Sequence, residues 1–228
     1  MKANEREGEL LIFDCDGVLV DSELLFARAC AELLADLGVP LPQNLMQSCF
    51  GLKEADILAR IEAAVGRAVA PEDRAQLWPR MRALFAAELK PTPGLVPFLD
   101  RLRLARCVVS SSQEERIRFS LEVTGLRAYF GEAIFSACLV ERGKPAPDIF
   151  FYAAKAMGAH PDRCIVIEDS IPGVEGAVAA GMTAIGFLGG MHIDAAHAGK
   201  LMRAGATLAA ENWIDVERWL ASSSQTRL

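Results

Sequence analysis

The chain has 228 residues with a formal net charge of −6, three His and six Cys, and 52% of it is hydrophobic. That length accommodates one large domain, or a domain carrying a smaller insertion, with a sizeable core. The acidic balance argues against nucleic acid or an anionic membrane as the main partner, and no window approaches the roughly 18 apolar residues of a membrane span.

The opening "MKANEREGE" is short and polar and has no signal-like apolar stretch behind it, so a cytoplasmic protein is expected. A first strand is predicted over 10–13, "LLIF", and it ends in acids: Asp14 and Asp16, then Asp21 and Glu23. Carboxylates at the end of a buried segment are costly unless something compensates them. From about Leu24 to Leu89 there is no good strand run; helical periodicity dominates, as in "LLFARACAELLADLG" and "ADILARIEAAVG", with Gly38 and Gly66 as plausible stops. "KPTPG" (90–94) then punctuates a return to alternation. Further strands are expected near 107–110, 133–136, 164–168 and 183–187, with helices over 95–105, 114–124, 148–157, 171–180 and 213–220. Such alternation predicts an α/β fold: a doubly wound parallel sheet, Rossmann-like, covered on both faces. The domain reading is a core of residues 1–22 and 90–228, with a helical cap of residues 23–89 inserted after the first strand. Residues 221–228, "ASSSQTRL", read as a frayed tail.

Cys15, Cys30, Cys49, Cys107, Cys138 and Cys164 form no CxxC pair, and no His stands at zinc-ligand spacing. Reduced thiols used as small apolar residues account for them. Trp78, Trp213 and Trp219 fall in helical patterns as packing residues. There is no GxGxxG after a strand and no GxxxxGK[ST], which removes dinucleotide and P-loop readings; helix packing and a C-terminal stop account for Gly173, Gly176 and Gly181.

Ligands of open parallel sheets gather beyond the carboxyl ends of the strands, and four such ends carry unusual chemistry here. In "DCDG", Asp14 and Asp16 project to one side and Cys15 to the other, and Gly17 lets the chain turn. "SSS" (110–112) sets three hydroxyls before a helix whose free N–H groups favour an anion. "GKPAPD" (143–148) presents Lys144 before a helix start, and "IEDS" (167–170) supplies a second acidic pair, Glu168 and Asp169. Singly, each has a plain structural explanation as a cap or solvated turn. Together they match a site for a hard divalent cation, of which Mg²⁺ takes a few carboxylates and keeps waters and phosphate oxygens, beside a cradle for a phosphoryl group.

"FDCDGVLVDSE", "KPAPDIF" and "IEDSIPGVEGAVAAGM" resemble the motifs of the haloacid dehalogenase-like hydrolases, a likeness covering Leu10 to about Gly190. The resemblance implies Asp14 as a nucleophile that becomes an aspartyl phosphate. Asp16 would be the acid and base, with its backbone carbonyl on Mg²⁺, and Lys144 would neutralise charge. Ser110 and Ser111 would bind the phosphoryl oxygens. The metal would be held by Asp14, Asp16, Glu168 and Asp169. Asp16 favours phosphate esters, since the dehalogenase and phosphonatase branches lack a carboxylate there. The small helical cap implies a small soluble substrate, a sugar phosphate or sugar-acid phosphate, and a monomer is the default. Lys53, in "FGLKEADIL" (50–58), echoes phosphatases active on 6-phosphogluconate, although an exposed Lys at a helix start explains it equally. His192 stands past the fifth strand, at the site's rim or in solvent.

Three rival readings accompany this one. A β-phosphoglucomutase-like mutase would carry a His and an Arg where this chain has Phe26 and Glu54. A catalytically silent binding protein would keep the fold and not turn over. A signalling receiver domain has the acidic pair and the phospho-acceptor in the opposite order.

Overall fold

The computed structural model describes residues 8–42, 45–46, 49, 54–193 and 196–223. Six parallel strands are described: β1 (Leu10–Phe13), β2 (Ala105–Ser110), β3 (Ile134–Ser136), β4 (Cys164–Glu168), β5 (Thr183–Phe187) and β6 (Leu208–Ala210), in the spatial order β3-β2-β1-β4-β5-β6. This is the doubly wound α/β arrangement expected, with the strand order reversing between β1 and β4. Every residue of β1 and β4 is buried, which is why both read as unbroken apolar runs rather than alternating ones.

The pleat divides the strand side chains between two cores. Leu11, Phe13, Val108, Ile165, Ile167 and Phe187 face one side, and Leu10, Ile12, Cys107, Val109 and Val166 face the other. The first face packs on α5 (Leu95–Arg101), α6 (Glu114–Val123), α7 (Arg127–Phe130) and α11 (Trp213–Ser223). The second packs on α8 (Asp148–Ala156), α9 (Ile171–Ala179) and α10 (His197–Arg203). Trp213 lies in the first core, with its ring 4.9 Å from that of Phe98 and 4.4 Å from that of Phe187, the packing role read for it.

Between β1 and α5 the described residues form helices: α1 (Glu23–Asp36), α2 (Glu54–Val65), α3 (Pro71–Arg74) and α4 (Leu77–Glu88). Helices α1 and α4 are tied by Arg28 to Glu88 (3.1 Å for Nη1–Oε2) and by Arg80 to Asp36 (2.6 Å). These exposed pairs are screened by solvent and contribute little, so the buried Phe26, Leu33, Met81 and Phe85 hold the helices together. The chain leaves and re-enters the sheet along adjacent paths. The Asp21 N–H donates to the Lys90 carbonyl at 3.1 Å, and the Thr92 N–H donates to the Leu19 carbonyl at 3.0 Å.

The structure adds α7, α10 and β6 to the expected elements; β6, a three-residue edge strand "LAA", is too short to carry a β pattern of its own. The 95–105 helix stops at Arg101, and the chain from Ala105 extends into β2. Five cysteines are buried and Cys138 is exposed, and none of the six is in a disulfide. Among the described residues, no helix is long and apolar enough to cross a membrane.

Candidate active site

The register of the sheet determines where the acids stand. Phe13 pairs with both Val108 and Ile167, so Asp14 follows β1 level with the end of β4. Its N–H continues the ladder, donating to the Ile167 carbonyl at 3.0 Å. This is the point where the strand order reverses, the crevice in which doubly wound sheets bind ligands. After Asp14 the chain closes a tight loop, with the Leu19 and Val20 N–H groups donating to the Cys15 carbonyl at 3.0 and 3.1 Å. Gly17 has φ +81°, and a Cβ there would lie 1.9 Å from Asp169 Oδ2, so the loop admits only glycine.

Lys144 arrives from the segment before α8 and is buried between two carboxylates. Its Nζ donates to Asp14 Oδ1 at 2.6 Å, to Glu168 Oε1 and, at 3.3 Å, to the Val109 carbonyl. Burial works against its charge, and the two carboxylates outweigh burial and push its pKa up. Glu168 also accepts from the Ser170 N–H (2.9 Å) and Oγ (2.8 Å), and Ser170 Oγ in turn caps α9 by accepting from the Gly173 N–H at 3.1 Å. Glu168 is therefore turned onto Lys144 and the helix start, while Asp169, the next residue, faces Gly17 and His192.

Asp16 faces the end of β2. Its carboxylate accepts from Ser112 Oγ at 2.7 Å, Arg116 Nη2 at 2.9 Å, Ser22 Oγ, and Ser110 Oγ at 3.5 Å. Burial alone would raise its pKa; Arg116 and the hydroxyls of Ser22 and Ser112 outweigh burial and hold it below the usual carboxylate range. Asp14 shows the opposite balance: burial lifts its pKa well above normal and Lys144 offsets this only in part, with Glu168, Asp169 and Asp16 adding to the rise. Asp169 is raised by burial and by Glu168. Its Oδ2 lies 2.9 Å from His192 Nε2.

The structure thus brings together Asp14, Asp16, Ser110, Lys144, Glu168 and Asp169, and it lines one chamber with Asp14, Asp16, Glu23, Ser110, Ser111, Ser112 and Arg116. Lys53 lies outside the described residues. Sequence reading omitted Arg116, Ser112 as a partner of Asp16, and Ser22. Arg116 sits on the buried face of α6, and its guanidinium lies 5.1 Å from the Phe26 ring centre and 5.6 Å from that of Phe85. An Arg at a core position of a helix was the available signal.

Among the described residues no three carboxylate, imidazole or thiol side chains form a ready metal-ligand set. The donors still suit a hard cation. Asp14 and Asp169 are carboxylates whose pKa values are raised by burial first and by neighbouring acids second, and a bound cation would offset both. Two carboxylates completed by carbonyl, water and phosphate oxygens is the habit of Mg²⁺.

The family model described as haloacid dehalogenase-like hydrolase matches residues 9–181. The chain belongs to that family. Similar proteins include the 6-phosphogluconate phosphatase of Escherichia coli, 30% identical over 81% of this chain and 84% of that one. The phosphorylated carbohydrates phosphatase of Thermotoga maritima is 29% identical over 78% of this chain and 83% of its own. Among solved structures, a conserved haloacid dehalogenase-like protein of unknown function from Agrobacterium tumefaciens superposes with a TM-score of 0.81 at 36% identity, covering 95% of this chain and 99% of that one. Family and relatives together place this haloacid dehalogenase-like hydrolase among the phosphoric monoester hydrolases.

Proposed function

We propose that this hydrolase is a Mg²⁺-dependent phosphatase of small phosphate monoesters, sugar or sugar-acid phosphates such as 6-phosphogluconate, working through an aspartyl phosphate on Asp14. The feature that most supports it is Lys144, buried and bonded at once to Asp14 and Glu168. A carboxylate attacking a phosphate dianion meets like-charge repulsion, and a fixed ammonium on the nucleophile lowers it. Glu168 and Ser170 hold that ammonium in place.

In this scheme Asp14 Oδ2, the oxygen not bonded to Lys144, attacks phosphorus. Ser110, Ser111 and the N–H groups ahead of α6 take the phosphoryl oxygens. Asp16 protonates the leaving oxygen and then removes a proton from the water that attacks the aspartyl phosphate. Before substrate arrives, Asp16 is held as a carboxylate by Ser112, Ser22 and Arg116. Ser112 also lines the chamber, so a bound phosphate competes for that donor and frees Asp16 to take up a proton. Asp14 and Asp169 would hold Mg²⁺ with the Asp16 carbonyl, supplying positive charge to the phosphoryl oxygens. Residues 23–89 act as a lid that excludes water, with hinges near 19–23 and 88–93, where the two connecting paths run side by side. The buried Phe26, under Arg116, offers no proton-carrying group, which favours hydrolysis over a mutase cycle.

Phosphate release from a panel of sugar, sugar-acid and nucleotide monophosphates is the test, with Mg²⁺ or chelator and with Asp14→Asn beside the wild type. Selective, metal-dependent release that the substitution abolishes is expected. Turnover that survives Asp14→Asn would remove the covalent route.

A further inference from the structure

Glu23 begins α1 and is 5% exposed, yet among the described residues no hydrogen bond or ion pair reaches its carboxyl group. A buried carboxyl group without a partner is costly. Its position suggests what meets it. The catalytic chamber has only about 20 Å³ of free space, room for a water and not for the body of a sugar. Beside it lies a cleft of about 450 Å³ whose walls include Leu24 and Glu88 of the helical segment, Lys90 and Pro91 of the return path, and Met191 and His192 after β5. That volume is within the usual range for small-molecule sites. Glu23 is the one described residue that lines both spaces. With phosphorus at Asp14, the leaving group has to pass Glu23 to reach the cleft.

We infer that Glu23 is a specificity-determining residue that pairs with a hydroxyl on the carbon next to the phosphoester, so that the preferred substrates are polyol and sugar phosphates hydroxylated at that carbon. The inference rests on the phosphatase reading above and names which leaving groups it accepts. A hydroxyl can donate to a carboxylate and accept from a carboxylic acid, so it satisfies Glu23 in either state. A bare methylene there leaves the buried group unpaired, the situation in which a polar site rejects an analogue strongly. A carboxylate there meets Glu23 with Asp16 and Asp169 behind it. The apolar Leu24, Pro91 and Met191 suit the C–H faces of the rest of the chain.

Three probes of matched size test this with Mg²⁺ present: glycerol 3-phosphate, propyl phosphate and phosphoglycolate, with p-nitrophenyl phosphate as a reporter of phosphatase chemistry. The wild type is expected to prefer glycerol phosphate over propyl phosphate by about 10–100-fold in kcat/KM, the value of one hydrogen bond to a charged or buried group. Glu23→Gln, whose amide still pairs with a hydroxyl, should keep most of that ratio. Glu23→Leu should bring the ratio within about threefold of unity and raise phosphoglycolate relative to glycerol phosphate. If Glu23→Leu does not fold, as judged by circular dichroism, Glu23→Asp withdraws the carboxyl group by one methylene and should lower the ratio at least about fivefold. A wild type indifferent to the hydroxyl, or a ratio unchanged in the Leu or Asp variant, overturns the inference. A wild type inactive on every ester, reporter included, brings down the phosphatase reading instead.

Discussion

At the scale of single residues, the site is a set of buried charges with opposed balances. Asp16 collects donors and stays ionised, whereas Asp14 and Asp169 are crowded by other acids and Lys144 is shared between two carboxylates. Glu23 has neither arrangement. Burial first, then Asp16 and Asp169, push its pKa up to about 8, with Arg116 and His192 offsetting part of the rise. A carboxyl group with a folded pKa above its unfolded value binds more protons folded than unfolded between those two values. Stability therefore falls as pH rises through that window, from about 4.5 to about 8. Glu23→Gln removes the titrating group. In chelator, its Tm advantage over the wild type should widen steadily from pH 5 to pH 8, and thermal melts showing a constant gap across that range would contradict the assignment.

At the scale of elements, the end of β4 works because the helix after it has no side chain at Gly173 in the way. In α9 the Glu168 carboxyl group lies over Gly173, where a Cβ would come within 1.8 Å of Oε1. In α10, a Cβ on Gly199 would meet only the far end of Arg203, at 3.3 Å from Nη1. The same substitution should therefore have opposite signs. Gly199→Ala gains helix propensity and should stabilise by up to about 1 kcal/mol. Gly173→Ala gains the same propensity and loses more by displacing Glu168 from Lys144, so it should lower both Tm and kcat. Chemical denaturation of the two variants side by side checks the sign. Helix α6 has a comparable double use: the serines before it face Asp16, and its Arg116, Phe119 and Glu115 meet the helical segment through Phe85 and Trp78.

At the scale of the whole molecule, α4 is seated on α6 and ties the helical segment to the core. The Trp78 Nε1–H donates to Glu115 Oε1 at 3.0 Å, the Trp78 ring centre is 5.8 Å from that of Phe119, and Arg82 lies 4.8 Å from the Phe119 ring centre. With about 20 Å³ free beside Asp14, the proposed lid motion would widen the path past Glu23 and would have to loosen this contact. A disulfide between Trp78→Cys and Glu115→Cys, with the exposed Cys138 replaced by Ser, should suppress sugar-phosphate turnover at least about tenfold, with recovery on reduction. Oxidised enzyme that turns over at the reduced rate would show that the helical segment does not gate the site.

Much of this architecture was legible in the sequence because its physics is local. A strand buried on both faces is built as a run of apolar residues, as "LLIF" and "CIVI" are, and a parallel sheet follows from helices that alternate with such runs. The acids, serines and lysine stand out because they interrupt those runs at the ends where a parallel sheet binds ligands. Strand β6 was invisible because it exists by pairing with β5, not by its own composition. Tertiary structure alone decided which side each acid faces. Glu168 and Asp169 look like one pair in sequence, yet the first holds Lys144 and the second meets Gly17 and His192, since β4 ends at Glu168 and the chain bends at Asp169. It also brought Arg116 to Asp16, 100 positions away, and left Glu23 buried between two cavities. Charge compensation depends on distances across the fold, which no local pattern encodes.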